Sequence, residues 1–364
     1  MKFLHQMGWG PFFSQSLDIQ ELTDFLPARI IREDKSHYRV VAETGERQAA
    51  LSGHLRRAAA ESGDWPAVGD WVLVDPAAEG DQTVIRRTLP RKSLLARGRV
   101  DSNRLPTSGI QSQVLAANVD LAFIVEAMGE AVNLNRIERY LALVHDLDIQ
   151  PVVLLSKADV IEDVIDKAAA VNKRLPDVET VAVSARTGLG LDQALAYLEV
   201  GRTGVLLGPS GVGKSTLINR FLDSEVQAVG LVREIDGKGR HTTTARQLFM
   251  LPQGGLIIDT PGLRAVGLTG ESAGLQTAFK EIDQWAARCR YRDCRHEAEP
   301  GCAVRQAVEE GRLDRSRFEH FLTLRKEAEQ ALARTDPEAL KRAGRRMSRM
   351  QAEVKRLEKR RFER

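Results

Sequence analysis

The chain has 364 residues, enough for two or three domains, and its 43% hydrophobic and 28% charged residues are ordinary for a globular protein in water. A formal net charge of only +3 means that any nucleic-acid affinity must come from local basic surfaces. The three cysteines are odd in number and close together, which argues against a disulfide framework, and no apolar run approaches the ~20 residues of a membrane span. The opening MKFLHQMGWGPFF carries one Lys and no sustained apolar core, so it does not read as a signal peptide, and a cytoplasmic protein is expected.

Residues 1–27 form a short amphipathic lead in which Trp9, Phe12 and Phe13 are expected to dock onto a core. From 28 to 100, five strand-like stretches follow around Ile30-Ile31, Tyr38–Val41, Gln48–Leu51, Trp71–Val74 and Val84-Ile85, separated by turn signals such as Thr44-Gly45 and Gly69-Asp70. Five short strands in this length predict a small closed barrel of the OB type. Basic residues crowd this stretch: Arg29, Arg32, Arg39, Arg56, Arg57, Arg86, Arg87, Arg91, Lys92, Arg97 and Arg99. They are either a track for RNA phosphates or a solvated face balanced by Glu33, Asp34, Glu43 and Glu46.

Residues 101–113 are polar with Pro and Gly and read as a linker, after which 114–275 read as an α/β domain. Val119–Val125 predicts a buried strand, and Leu134, Ile137, Tyr140, Leu141 and Val144 recur at helical spacing. Pro151–Leu155 then leads into Ser156-Lys157-Ala158-Asp159, and Val181–Val183 into Ser184-Ala185. These two loops resemble the base-reading loops of GTPases, where the Asp accepts hydrogen bonds from guanine and the Ser-Ala backbone meets its carbonyl. The GTPase pattern has Asn where this chain has Ser156, which removes one amide tether to the phosphate loop but leaves Asp159, the group that discriminates guanine. Alternating strands and helices predict a parallel sheet with helices on both faces and ligand loops at the strands' carboxyl ends.

Val205-Leu206-Leu207 leads into GPSGVGKST: Gly208, Pro209, Ser210, Gly211, Val212, Gly213, Lys214, Ser215 and Thr216. This is a phosphate-binding loop, in which glycines let backbone N–H groups close on phosphate oxygens, Lys214 reaches the β- and γ-phosphates, and Ser215 ligates Mg²⁺. Leu217, Ile218 and Phe221 follow at helical spacing, so the helix N-terminus adds its positive end. Downstream, Leu256-Ile257-Ile258 runs into DTPG, where Asp259 holds the metal through water and the Gly262 N–H meets the γ-phosphate. Between them, GKGRHTTT (237–244) supplies a switch threonine, Thr243, as a second Mg²⁺ ligand. Ordinary GTPases run phosphate loop, threonine switch, DxxG and then the base-reading loops; here the base-reading loops come first, which is a circular permutation.

Beyond 275, Cys289, Cys294, His296 and Cys302 are spaced C-x4-C-x-H-x5-C, which suits a closed tetrahedral Zn²⁺ site with a structural role. The bland alternative is three buried thiols and a surface histidine. Arg288, Arg290, Arg292 and Arg295 make the neighbourhood basic. The last stretch is charged and helix-forming; from Lys341 to Arg364 eleven Lys and Arg stand against three Glu, so it is either a helix packed on its own domain or one that contacts RNA.

The permuted order, the GRHTT stretch and the cysteine cluster together resemble the RsgA family (YjeQ and YloQ), bacterial GTPases of small-ribosomal-subunit maturation. The resemblance covers nearly the whole chain. It implies an N-terminal OB barrel, a permuted GTPase domain and a zinc-binding helical domain at 276–364, with GTP or GDP, Mg²⁺ and one Zn²⁺ as ligands. It also implies the small ribosomal subunit and its rRNA as partner; a monomer without membrane association is expected. Rivals from other classes are an RNA-binding module with vestigial nucleotide binding and a P-loop ATPase. Leu263 stands where Ras-like GTPases have the Gln that orients the attacking water. His241 is the substitute that the sequence offers, unless it is merely a surface residue of its loop.

Overall fold

The computed structural model describes residues 2–34, 37–76, 82–98, 112–129, 131–222, 246–260 and 273–335. Three short helices, α1 (Lys2–Gln6), α2 (Pro11–Ser14) and α3 (Ile19–Asp24), make up the lead. Proline at the first turn of α2 and a capping box between Asp18 and Glu21 in α3 satisfy the helix starts locally. Met7, Trp9 and Phe13 are buried, with Trp9 set edge-on to Trp71 at 4.8 Å, whereas Phe12, expected to dock with them, is 44% exposed.

All five expected strands form: β1 (Leu26–Asp34), β2 (His37–Ala42), β3 (Gly45–Leu51), β4 (Trp71–Val74) and β5 (Gln82–Thr88), with α4 (Gly53–Ser62) between β3 and β4. β1 pairs antiparallel with both β2 and β4, β2 with β3, β4 with β5, and β3 runs parallel to β5, so the strands close on themselves. Closure removes the unpaired edges that five short strands would otherwise expose.

Strands β6 (Leu94–Gly98) and β7 (Ser112–Ala117) form a two-stranded antiparallel ribbon. Ser112 and Gln113, placed in the linker by composition, therefore belong to a strand; the rest of that linker, from 99 to 111, lies outside the described residues.

Next come β8 (Leu121–Ala127), α5 (Leu134–Asp146), β9 (Gln150–Ser156), α6 (Val164–Arg174), β10 (Thr180–Ala182), α7 (Leu191–Leu195), β11 (Thr203–Leu207), α8 (Lys214–Leu222), β12 (Gln247–Met250) and β13 (Leu256–Asp259). The spatial order is β10-β9-β8-β11-β13-β12. The first five strands are parallel and flanked by helices, but β12 runs antiparallel to β13, which departs from the all-parallel expectation. The core between sheet and helices includes Phe123, Val125, Leu206, Leu217, Phe221 and Ile257.

Because β12 also pairs with β1 (Gln247 opposite Arg32), sheet and barrel share eleven continuous strands. The barrel and the α/β sheet, expected as separate domains, thus lie in one compact unit. Arg29, only 1% exposed, fastens that seam: it donates to the carbonyls of Met7, Gly69 and Asn118 and to Thr203 Oγ1 at 2.9 Å. Burial lowers its pKa to about 10, against the pull of Asp120 and Asp70, so it remains a cation.

A second unit holds α9 (Ala273–Ala278), α10 (Lys280–Ala286), α11 (Ala303–Glu309) and α12 (Arg315–Thr335). It begins by Ala273, ahead of the boundary at 276 drawn from sequence. Phe279, Ile282, Val304 and Leu324 are among its buried side chains. The basic stretch 341–364 lies outside the described residues.

Candidate functional site

The phosphate loop leaves the central strand β11 and enters α8. Gly208, Gly211 and Gly213 have φ of +148°, +82° and +98°, conformations costly to any residue with a Cβ. At Gly208 a Cβ would also come 2.3 Å from the Val125 carbonyl oxygen, whereas at Gly211 and Gly213 it would meet nothing within 4 Å. The loop is thus tight against β8 on one side and open on the other, which fits a phosphate chain. Lys214 Nζ donates to the carbonyls of Gly208 at 2.8 Å and Pro209 at 2.7 Å, holding its ammonium folded across the loop. Ser215 and Thr216 follow in the first turn of α8, where free N–H groups and the helix dipole favour an anion.

The two loops expected to read the base stand at the carboxyl ends of β9 and β10. Lys157 takes a left-handed conformation (φ 60°) and starts a 3-10 turn over Ala158–Val160 that presents Asp159, while the Ala158 N–H donates to Val183. Ser184, fully buried, donates through its hydroxyl to Asp159 Oδ1 at 2.6 Å, and Arg186 lies 3.7 Å from Oδ2. The Ser184 bond, then Arg186, hold the Asp159 carboxyl below its ordinary value, so it stands as an acceptor-only carboxylate. Sequence reasoning assigned Ser184 and Ala185 a backbone role; the Ser184 side chain's hold on Asp159 was not foreseen.

Where the amide tether is absent, the Ser156 hydroxyl makes a bond of its own to the phosphate loop. Ser156 is 3% exposed, and its hydroxyl donates to the Val212 carbonyl of the phosphate loop at 2.6 Å, with the Glu126 carbonyl at 3.3 Å. A hydroxyl does here what an amide was expected to do, because the loops approach closely enough for a side chain of one Cβ. Glu126 itself, 6% exposed at the end of β8, was also missed: it is paired with Arg136 at 3.0 Å, and burial raises its pKa while Arg136 opposes the rise. One acidic letter at a strand end carries no pattern that would single it out.

Asp259 ends β13, paired in register with Gln247. Thr260, beside it, is 5% exposed, and its hydroxyl has no hydrogen-bond partner among the described residues. Gly262, Leu263, His241 and Thr243 lie outside the described residues.

In the second unit the structure gathers Cys289, Cys294, His296 and Cys302, whose ligand atoms all lie within 4.8 Å of one another. Cys289 Sγ is 3.6 Å from His296 Nδ1 and 3.9 Å from Cys302 Sγ, and Cys302 Sγ is 3.4 Å from that nitrogen. Around a tetrahedral Zn²⁺ with ordinary Zn–S bonds the sulfurs stand about 3.8 Å apart, so the donor set fits. Burial pushes the Cys294 thiol up to about 12, with Cys302 and Cys289 adding to the rise, so without a cation that sulfur stays protonated. Burial, then Arg325, lowers the pKa of His296, whose Nδ1 is turned to the sulfurs. Glu299 shapes the turn: its carboxylate accepts from the N–H groups of Arg295, Glu297 and Ala298, which lower its pKa to about 2. Nearby, Trp285 lies between Arg288 (4.8 Å) and Arg312 (4.6 Å), and Arg290 lies over exposed Tyr291, whereas Arg295 is paired with Glu329.

A phosphate loop on the central strand, flanked by base-reading loops from strands that precede it in the chain, defines a circularly permuted P-loop GTPase. Residues 88–269 match the RsgA GTPase family. A small ribosomal subunit biogenesis GTPase RsgA of Syntrophotalea carbinolica is 41% identical over 92% of each chain, and one of Streptomyces avermitilis is 40% identical over 90% of this chain and 86% of its own. YjeQ from Thermotoga maritima superposes with a TM-score of 0.62 at 28% identity, covering 84% of this chain and 98% of that one. YloQ, described as a circularly permuted GTPase, superposes at 0.59 with 24% identity over 84% and 96%, a likeness of fold. The chain belongs to the RsgA GTPase family. It is a GTPase, and with that activity come GTP and GDP as ligands and Mg²⁺ as cofactor.

Proposed function

We propose that the chain hydrolyses GTP as a late maturation or release factor of the small ribosomal subunit, and that the subunit stimulates hydrolysis. The observation that carries the reading is the Ser156 bond to Val212, which joins a guanine-type base loop to the phosphate loop in one rigid site. In this site Asp159 accepts from the guanine N1–H and amine, and the Ser184-Ala185 backbone meets its carbonyl. Gly208 to Thr216 hold the phosphates, with Lys214 on the β- and γ-groups. Ser215 and Thr243 ligate Mg²⁺, Asp259 holds it through water, and the Gly262 N–H meets the γ-phosphate. Cys289, Cys294, His296 and Cys302 take one structural Zn²⁺. The relatives' names supply the partner, and rRNA phosphates are its chemistry.

The barrel's basic track is narrower than composition suggests. Of its eleven basic residues Arg29 is buried, Arg32, Arg39, Arg86, Arg87 and Arg91 pair with carboxylates, Lys92 lies over the Phe12 and Phe13 rings, and the side chains of Arg97 and Arg99 are not among the described ones, so of those described Arg56 and Arg57, exposed on α4, are the better phosphate contacts. Arg288, Arg290 and Arg312, set against aromatic rings, extend the reading to the zinc-site unit. No helix among the described residues is long and apolar enough to cross a membrane. The deciding experiment is GTP turnover with and without purified small subunits: stimulation of a hundredfold or more is expected, and equal rates overturn the reading. Competition by ATP as strong as by GTP favours the ATPase rival instead.

A further inference from the structure

The turn that carries Cys294 and His296 is held at Arg295, the residue between them. The Arg295 N–H donates to Glu299 Oε1 at 2.9 Å, its side chain pairs with Glu329 of α12, and its carbonyl accepts from Nη2 of Arg325, also of α12, at 2.7 Å. His296 takes a left-handed conformation (φ 61°), which a residue with a Cβ keeps only where its surroundings impose it. No peptide bond among the described residues is cis, so the Arg295 carbonyl and the His296 N–H lie in one plane and point opposite ways. On one side the carbonyl meets Arg325, and on the other the N–H donates to the Cys294 sulfur. One peptide group therefore links a cation of α12 to a thiol of the metal set. The Arg325 side chain is only 17% exposed, and its guanidinium lies 5.6 Å from the centre of the Phe321 ring. Its Nε is buried without a hydrogen-bond partner among the described residues, which is costly, so the carbonyl bond and nearby negative charge must hold the group in place.

We propose that Arg325 is a positioning residue for the metal site, which aims the His296 N–H at Cys294 through the peptide between Arg295 and His296 and offsets the charge of the thiolates. This rests on the zinc reading proposed above. Three thiolates and a neutral imidazole leave Zn²⁺ with one net negative charge, and a guanidinium beside them lowers the cost of gathering them away from water. A cation on the carbonyl also polarises the amide, which strengthens the N–H bond to sulfur at its other end. Glu297 and Glu329 face the same guanidinium, but they are 47% and 50% exposed, so water weakens their hold on it.

The test uses the full chain, with Zn²⁺ affinity read by competition against a chromophoric chelator and the sulfurs read by the charge-transfer absorption of Co²⁺ loaded in place of Zn²⁺. Arg325→Met keeps an apolar stem against Phe321 and removes the charge and its donors. Lys326→Met is the control: it removes a charge one residue along, 3.8 Å from the same Glu297 oxygen. Arg325→Met should bind Zn²⁺ about ten- to a hundredfold more weakly. Its Co²⁺ band should move to longer wavelength, because a thiolate that has lost an N–H donor gives up an electron more readily. Lys326→Met should stay within about twofold of wild type with its band unmoved, and Arg325→Lys, which keeps the charge and a donor, should bind more tightly than Arg325→Met. Wild-type affinity or an unmoved band in Arg325→Met, an equal loss in Lys326→Met, or Arg325→Lys no tighter than Arg325→Met overturns the inference. A lower melting temperature with affinity and band unchanged also overturns it, since Arg325 would then only pack the helix. A wild type that takes up no Zn²⁺ defeats the zinc reading and the inference together, whereas tight wild-type binding with no effect of Arg325→Met defeats the inference alone.

Discussion

The Ser156 hydroxyl donates to the Val212 carbonyl across 2.6 Å, so the loop proposed to meet the base and the loop proposed to meet the phosphates are hydrogen-bonded to each other. Ser156→Ala leaves a buried carbonyl without its donor, which costs about 1 to 3 kcal/mol. The nucleotide site should be less preorganised, and GTP and GDP affinities should fall together, by about five- to a hundredfold, with guanine selectivity kept. Equilibrium titrations with both nucleotides check this; a loss confined to GTP would show that the bond serves the γ-phosphate instead.

Asp159 is held as a carboxylate by Ser184, with Arg186 beside it. Asp159→Asn replaces one acceptor edge with donors that oppose guanine N1–H and the exocyclic amine. GTP affinity should fall at least about a hundredfold, with xanthosine triphosphate bound in preference, because xanthine presents an acceptor where guanine presents an amine. Unchanged GTP affinity would remove Asp159 from base recognition.

How much of this was legible in the chain depends on whether the signal was local. The phosphate loop and the DTPG strand each keep their pattern within about ten residues, and their strand-loop-helix context was readable from apolar runs. The five barrel strands were readable for the same reason. Pairings between distant segments were not: β6 meets β7 across the polar 99–111 stretch, and Gln247 meets Arg32 of the barrel. Four residues, Gln247–Met250, are too few to reveal that β12 runs antiparallel. Arg29 looks like one more surface cation among eleven basic residues, and only the fold shows it sealed between lead, barrel and sheet.

That sealed guanidinium makes a stability prediction. Arg29→Met leaves the carbonyls of Met7 and Asn118 and the Thr203 hydroxyl without the donor Arg29 gave them, leaves the Gly69 carbonyl with the Asn118 amide alone, and removes the positive charge facing Asp70 and Asp120. A loss of about 3 to 5 kcal/mol is expected, read as a lower melting temperature for the unit that binds GDP. Arg29→Lys should recover little, since an ammonium lacks the planar fork that reaches four acceptors.

The Cys3His cluster predicts one zinc per chain. Chelation should unfold the second unit, read by loss of helical signal, while GDP affinity persists, because the nucleotide loops belong to the other unit. Cys302→Ala removes the donor nearest His296 Nδ1 and should abolish stoichiometric zinc. Freshly purified protein without zinc, or Cys302→Ala with a full zinc complement, would contradict the assignment.

The slowest step of the free enzyme should be hydrolysis itself. In Ras-like GTPases a Gln after DxxG orients the attacking water, and even so intrinsic turnover is on the order of 10⁻⁴ s⁻¹. Here Leu263 follows Gly262, and an apolar side chain cannot orient water. His241, two residues before Thr243, is the polar group that a correctly placed threonine would bring along. Stimulation of about 10² to 10³ by the small subunit, about 3 to 4 kcal/mol off the barrier, should therefore require His241. His241→Ala should bind GTP normally and keep the slow free rate while losing the stimulation, and Leu263→Gln should raise the free rate without needing the subunit. If His241→Ala is stimulated as fully as wild type, the water is oriented by another group, and one supplied by the bound RNA becomes the group to seek.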